Sequence, residues 1–108
     1  MSRRRVAVTG LGVVSPLGSD LATFWQRLVA GQSGIGPVTY FDVTAYDSKI
    51  AGQVKDFDIN AWVDRKAQRR MDPFSHYGIA AAKMAVKDSG IDFTKENPDL
   101  SGCLISSG

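Results

Sequence analysis

Arg5-Val-Ala-Val-Thr-Gly-Leu-Gly-Val-Val-Ser-Pro-Leu-Gly18 runs directly into Ser19-Asp-Leu-Ala-Thr-Phe-Trp-Gln-Arg-Leu-Val-Ala30. The residues Val6 to Val8 form a short apolar run without alternation, rich in β-branched side chains. Such a run predicts a strand buried on both faces, as in a parallel sheet. Gly10, Gly12, Pro16 and Gly18 then break the pattern, and the chain must turn. Beyond the turn, Leu21, Phe24, Trp25, Leu28 and Val29 recur at helical spacing. Ser19 or Asp20 is placed to cap that helix, and Gly31 to stop it. Each large apolar side chain of the stripe gains about 1.5–3 kcal/mol on burial, so the sheet begun at Val6 is expected to cover it. The unit reads strand, glycine loop, helix.

The segment from Gly31 to Tyr46 is a loop with apolar anchors at Ile35, Tyr40 and Phe41. Residues 49–54 predict a short strand. A helix is expected over Ile59 to Met71, capped by Asp58 or Asn60 and ended before Pro73. Asp72 and Pro73 then suit the N-cap and first position of a second helix, Phe74 to Ser89, with Gly90 as its stop. Gly78, Ala80, Ala81, Ala82 and Ala85 leave little side chain on that helix, which is expected to lie deep between layers. His76, Lys83 and Lys87 share one side of it and reach water there. A polar connector with Asn97-Pro98 leads to Gly102-Cys103-Leu104-Ile105, read as a second parallel strand. Strands joined through helices predict an α/β layered fold. Two or three strands around one deep helix do not complete a domain, so residues 1–108 are expected to be a piece of a longer protein.

Composition narrows the function classes. With 44% hydrophobic and 22% charged residues the chain is ordinary for a globular protein. A net charge of +2 is too small to argue for nucleic acid. The apolar stretch after Arg3-Arg4-Arg5 is cut by glycines and a proline, which argues against a signal peptide. No apolar run approaches the ~18 residues of a membrane span. One cysteine excludes an internal disulfide framework. Together these features read as a cytoplasmic protein.

Four constellations are candidates for chemistry. The glycine loop sits between strand and helix, as in dinucleotide-binding folds, but Ser15 stands where a third glycine belongs and Pro16 precedes the helix. No clear acidic residue follows at the distance needed for a ribose, which favours a structural turn. Cys103, mid-strand, reads as a small core hydrophobe and not as a thiolate nucleophile. His76 has no second ligand at metal spacing and reads as a packing or solvent-facing histidine. The fourth is Arg65-Lys66-Ala67-Gln68-Arg69-Arg70, where Lys66, Arg69 and Arg70 fall at i, i+3 and i+4. That face is either an ordinary solvated surface or a landing site for an acidic partner; a focused patch accelerates encounter by about 10- to 1000-fold.

The ordered motifs Val6-Ala-Val-Thr-Gly-Leu-Gly-Val-Val-Ser-Pro-Leu-Gly18, Trp25…Leu28…Gly31-Gln32-Ser33-Gly34-Ile35 and Arg65-Lys66…Arg69-Arg70-Met71-Asp72…Phe74 resemble the N-terminus of the β-ketoacyl-acyl-carrier-protein synthase II condensing enzymes. The resemblance covers essentially the whole chain. It implies a thiolase-like layered αβαβα fold of two duplicated halves, a homodimer, and decarboxylative Claisen condensation of an acyl thioester with malonyl-acyl carrier protein in fatty acid elongation. The family's nucleophile is a cysteine at a helix N-terminus, assisted by two histidines. Cys103 and His76 match none of these three, so no catalytic residue is carried over and the chain alone is expected to be inactive and unstable as a monomer. Lys66, Arg69 and Arg70 match positions that contact the acidic helix of the carrier protein in the family. No metal or cofactor is implied. A chain-length-factor relative from polyketide synthesis and a dinucleotide-binding module are the competing readings.

Overall fold

The computed structural model describes residues 2–107. Helix α1 spans Leu21–Val29, strands β1 (Ile35–Pro37) and β2 (Ile50–Gly52) pair next, then come the four-residue helix α2 (Arg65–Gln68) and the long helix α3 (Pro73–Ser89). Single 3-10 turns lie at Ile59–Ala61 and Pro98–Leu100.

Local punctuation sets the helix ends. The Asp20 carboxylate accepts from the Thr23 amide at 2.8 Å and caps α1. At the other end Gly31 takes φ +69°, while the Gly31 and Gln32 amides donate to the Leu28 and Arg27 carbonyls. These two bonds form a Schellman motif, which a Cβ at position 31 would strain. Gly90, at φ +66°, ends α3 differently: its amide donates to the Lys87 carbonyl, and the Ile91 amide donates to the Ser89 hydroxyl, which in turn donates to the Val86 carbonyl. Asp72 begins α3 as expected, but its carboxylate makes no capping bond; its backbone carbonyl receives the Ser75 and His76 amides instead.

The helix expected over Ile59 to Met71 is broken in two. Asp58 caps the 3-10 turn, and Asp64 caps α2 by accepting from the Lys66 and Ala67 amides, each at 3.0 Å. A second N-cap residue only six positions after the first outcompetes a continuous helix. The strand expected at 49–54 forms as β2, antiparallel to β1 with Gly36 opposite Ala51. Its loop is drawn together by Lys49, whose ammonium donates to the Val43, Thr44 and Tyr46 carbonyls.

The two expected parallel strands are not formed among the described residues. Val6 and Val8 are 91% and 78% exposed, Leu104 is 94% exposed, and neither segment has a ladder partner. A parallel strand draws its stability from neighbours on both sides, and none is present in this span. Both segments nevertheless reach α3: Thr9 and Gly10 share a cavity with Ser101, Gly102, Ala85 and Ser89. The α1 stripe is uncovered too, with Trp25 62% exposed and no residue of α1 buried.

The buried apolar residues are Val63 and Ala80, where the 3-10 turn, α2 and α3 converge. The Phe57 and Tyr77 rings meet edge to face at 5.4 Å, and burial raises the Tyr77 hydroxyl above its usual range. Total exposed surface is 9183 Å², against about 5,900 Å² for a compact monomer of this mass. The radius of gyration is 17.3 Å, against about 13 Å for a compact chain of this length. The described residues are thus open and extended, and on α3 only Ala80 is buried.

Candidate carrier-docking surface

The basic segment owes its position to three side-chain clamps. The Gln68 amide donates to the Val63 carbonyl at 2.6 Å and to Asn60 Oδ1 at 3.2 Å. His76 Nε2, on α3, donates to the Gln68 carbonyl at 3.2 Å. Lys83, also on α3, donates to the Trp62 carbonyl. Short α2 is thus tied to a 17-residue helix at its last residue, Gln68, and through Trp62, three residues before its start.

Lys66, Arg69 and Arg70 are all exposed. Helix α2 ends at Gln68, but the backbone keeps turning, with Arg69 in the helical region and Arg70 and Met71 amides bonded to Ala67 and Gln68 carbonyls. The helical spacing of the three cations therefore survives the shorter helix. Among the described residues the single ion pair is Lys95–Asp92, so none of the three cations is neutralised within the chain. Of the nearby acids, Asp58 is committed to Asn60 and Asp64 to the α2 cap, while the Asp72 carboxylate makes no capping bond. Exposed like charges held together without an ion-pair partner give a local positive field in a chain of near-neutral net charge.

The other candidates resolve differently. Gly10 and Gly12 lie hard against α3: a Cβ on Gly12 would collide with the Ala81 carbonyl, and one on Gly10 with the Ala85 carbonyl. Their purpose is close backbone approach, and the small residues of α3 are its other half. The N-terminus of α1, where a pyrophosphate would sit, already holds the Asp20 carboxylate, kept below its usual range by the Thr23 amide. The glycine loop is closed by the Ser15–Gly18 turn, with paired bonds of 3.0 and 3.1 Å. Cys103 is exposed and lines an apolar groove with Met71, Phe74, Gly78 and Ile105, which corrects the core assignment. His76 packs between α2 and α3 and is half-buried. Lys83 and Lys87 remain exposed on α3. Among the described residues no cluster of three His, Cys, Asp or Glu is placed to hold a metal, and no helix is long and apolar enough to cross a membrane.

Arg65, four residues before Arg69, lines with it a concavity shared by Asn60, Gln68 and His76.

The family described as the N-terminal domain of β-ketoacyl synthase matches residues 3–108. The chain is 46% identical over all 108 residues to 3-oxoacyl-(acyl-carrier-protein) synthase 2 of Vibrio harveyi, and 41% identical over 105 residues to that of Staphylococcus aureus strain COL. It spans about a quarter of those relatives, 26% and 25% of their lengths. Among solved structures it resembles the ishigamide ketosynthase/chain length factor, with a TM-score of 0.77 and 36% identity over 86% of this chain and 23% of that one. It also resembles a ketosynthase complex, a type II polyketide synthase acyl-carrier protein with its ketosynthase bound to the hexaketide, at a TM-score of 0.65 and 29% identity over 89% of this chain and 24% of that one. By its glycine loop packed on α3, its thiolase-like backbone and its sequence, the chain belongs to the β-ketoacyl synthase family, within the N-terminal domain.

Proposed function

We propose that these residues form the opening portion of the N-terminal domain of a 3-oxoacyl-acyl-carrier-protein synthase II, a cytoplasmic homodimer that elongates fatty acids. The whole protein joins an acyl thioester to malonyl-acyl carrier protein, with loss of carbon dioxide and formation of one carbon–carbon bond. This segment supplies scaffold through α3 and a docking surface for acyl carrier protein through Lys66, Arg69 and Arg70. By itself it carries no group for the bond-making step.

The observation carrying this reading is the unpaired cation cluster clamped to α3, in a chain 41–46% identical to enzymes named for their carrier-protein substrate. The polyketide chain-length-factor reading is less favoured, since the ketosynthase structures reach 29–36%. The deciding experiment measures acyl carrier protein binding by the full-length enzyme bearing Arg69→Glu and Arg70→Glu together. Affinity should fall by about tenfold or more at low ionic strength, with a shallower salt dependence. Unchanged affinity and unchanged salt dependence would defeat the docking assignment.

A further inference from the structure

We infer that the backbone carbonyls of Val43, Thr44 and Tyr46 form a monovalent-cation cage, and that its resident cation is the ammonium of Lys49. The cage closes the connection between β1 and β2. It uses no residue of the basic segment, so it stands or falls independently of the docking assignment.

The connection, residues 38–49, follows a fixed path with little apolar cover, since Tyr40, Phe41 and Tyr46 are all exposed. Ordering a loop of this length opposes chain entropy, so its shape needs specific bonds. Three of them converge on one atom. Lys49 Nζ donates to the Tyr46 carbonyl at 2.6 Å, to the Val43 carbonyl at 3.0 Å and to the Thr44 carbonyl at 3.3 Å. An ammonium has three N–H donors and no acceptor, so the three carbonyls match its whole donor set. The amine is delivered from a fixed base, because the Lys49 carbonyl accepts from the Val38 amide at 3.0 Å beside the β1–β2 ladder. The Tyr46 amide donates to the Val43 carbonyl at 3.0 Å and holds two of the cage residues together. No carboxylate takes part. Among the described residues the single ion pair is Lys95–Asp92, and the Asp42 carboxylate is taken by the Thr44 amide at 2.9 Å and hydroxyl at 2.6 Å. Carbonyl oxygens aimed at one point repel one another through their partial negative charges, and positive charge at that point offsets the repulsion. Neutral oxygens alone suit a weakly hydrated monovalent ion, as in the carbonyl rings of potassium channels, whereas calcium and magnesium sites draw on carboxylates. Free ammonium is the lysine head group without its stem, and potassium is nearly its size. The ligand class of the cage is therefore an ammonium-like monovalent cation, and the wild-type chain fills the cage with its own side chain.

The test is hydrogen–deuterium exchange of the full-length protein, read by mass spectrometry, for wild type, Lys49→Ala and Lys49→Arg. Peptides covering residues 42–48 report on the cage, and peptides from α3 serve as the reference. Each protein is measured in tetramethylammonium chloride, whose cation is too bulky for the cage, and in ammonium chloride and potassium chloride at the same ionic strength. Wild type should exchange alike in all three salts. In tetramethylammonium, Lys49→Ala should exchange about tenfold faster at residues 42–48, the lower end for hydrogen bonds to a charged group, with α3 unchanged. Ammonium and potassium should restore the protection saturably. Lys49→Arg keeps the charge but spreads its donors over a planar fork, so it should retain only part of the protection. Unchanged exchange in Lys49→Ala, faster exchange that ammonium and potassium leave untouched, or full protection in Lys49→Arg overturns the cage. Faster exchange in α3 alongside the loop also overturns it, because Lys49 would then act on the whole fold and not on these carbonyls. Lys49 is exposed, so both variants are expected to fold as the wild type does.

Discussion

Replacing Gly12 with alanine adds one methyl group at the tightest backbone contact in the chain. That carbon would strike the Ala81 carbonyl and stand 2.8 Å from both the Ala85 amide nitrogen and Met84 Cβ. Two of the three obstacles are backbone atoms of α3, held by its own hydrogen bonds, so no side chain can swing aside. Overpacking of this kind costs about 1–3 kcal/mol, and a rigid obstacle puts Gly12→Ala near the upper figure, roughly a 150-fold loss in folding equilibrium. Trp62 lines the same cavity as Gly12 and Met84, so its fluorescence reports on the contact during urea unfolding. Gly31 supplies the contrast: nothing lies within 4 Å of its Cβ position, and only its φ of +69° resists a side chain. Gly31→Ala should cost about 1 kcal/mol and Gly31→Asn distinctly less, because asparagine tolerates the left-handed region. At position 12 asparagine should be worse than alanine. A Gly12→Ala variant within ~0.5 kcal/mol of wild type, or one improved by asparagine, would refute close approach as the reason for the glycine.

Two further outcomes follow from the same contacts. Lys83→Met removes the donor to the Trp62 carbonyl while keeping the aliphatic stem. It should cost about 0.5–1 kcal/mol of stability and weaken carrier binding without touching the carrier, whereas an unchanged affinity would show that α2 holds its position unaided. The Asp20, Asp42 and Asp92 carboxyls lie below their usual range, chiefly through bonds from the Thr23 amide and the Thr44 and Thr94 hydroxyls. Because the folded values are depressed, their contribution is complete above about pH 4 and is lost as pH falls through the folded value. Amide shifts of Thr23, Thr44 and Thr94 should therefore titrate with midpoints below about 3.9, and midpoints at or above it would refute these bonds.

What could be read from the sequence was whatever is decided within a few residues. Asp20 and Gly31 around α1, Asp58 at the 3-10 turn, and Pro73 and Gly90 around α3 all act locally, and the structure uses each of them. The small residues of α3 pointed to close backbone approach, and Gly10 and Gly12 are what approaches. Asp64 carried the signal for a break before α2, but the apolar and basic periodicity around it masked that signal. The segments Val6 to Val8 and Cys103 to Ile105 read as strands because their composition fits burial. A strand, however, is a property of its neighbours, and these two have no ladder within the described residues. In the basic run the i, i+3, i+4 rule grouped Lys66, Arg69 and Arg70, while the concavity that Arg65 and Arg69 line needs α3 to supply its second wall through His76.

The ammonium of Lys49, gathered by the carbonyls of Val43, Thr44 and Tyr46, acts as a tethered counter-ion for its loop. Many loops of this kind recruit a dissolved cation and lose their shape to a chelator or to dilution. Here the positive charge is covalently part of the chain, so the loop gathers these carbonyls without recruiting an ion.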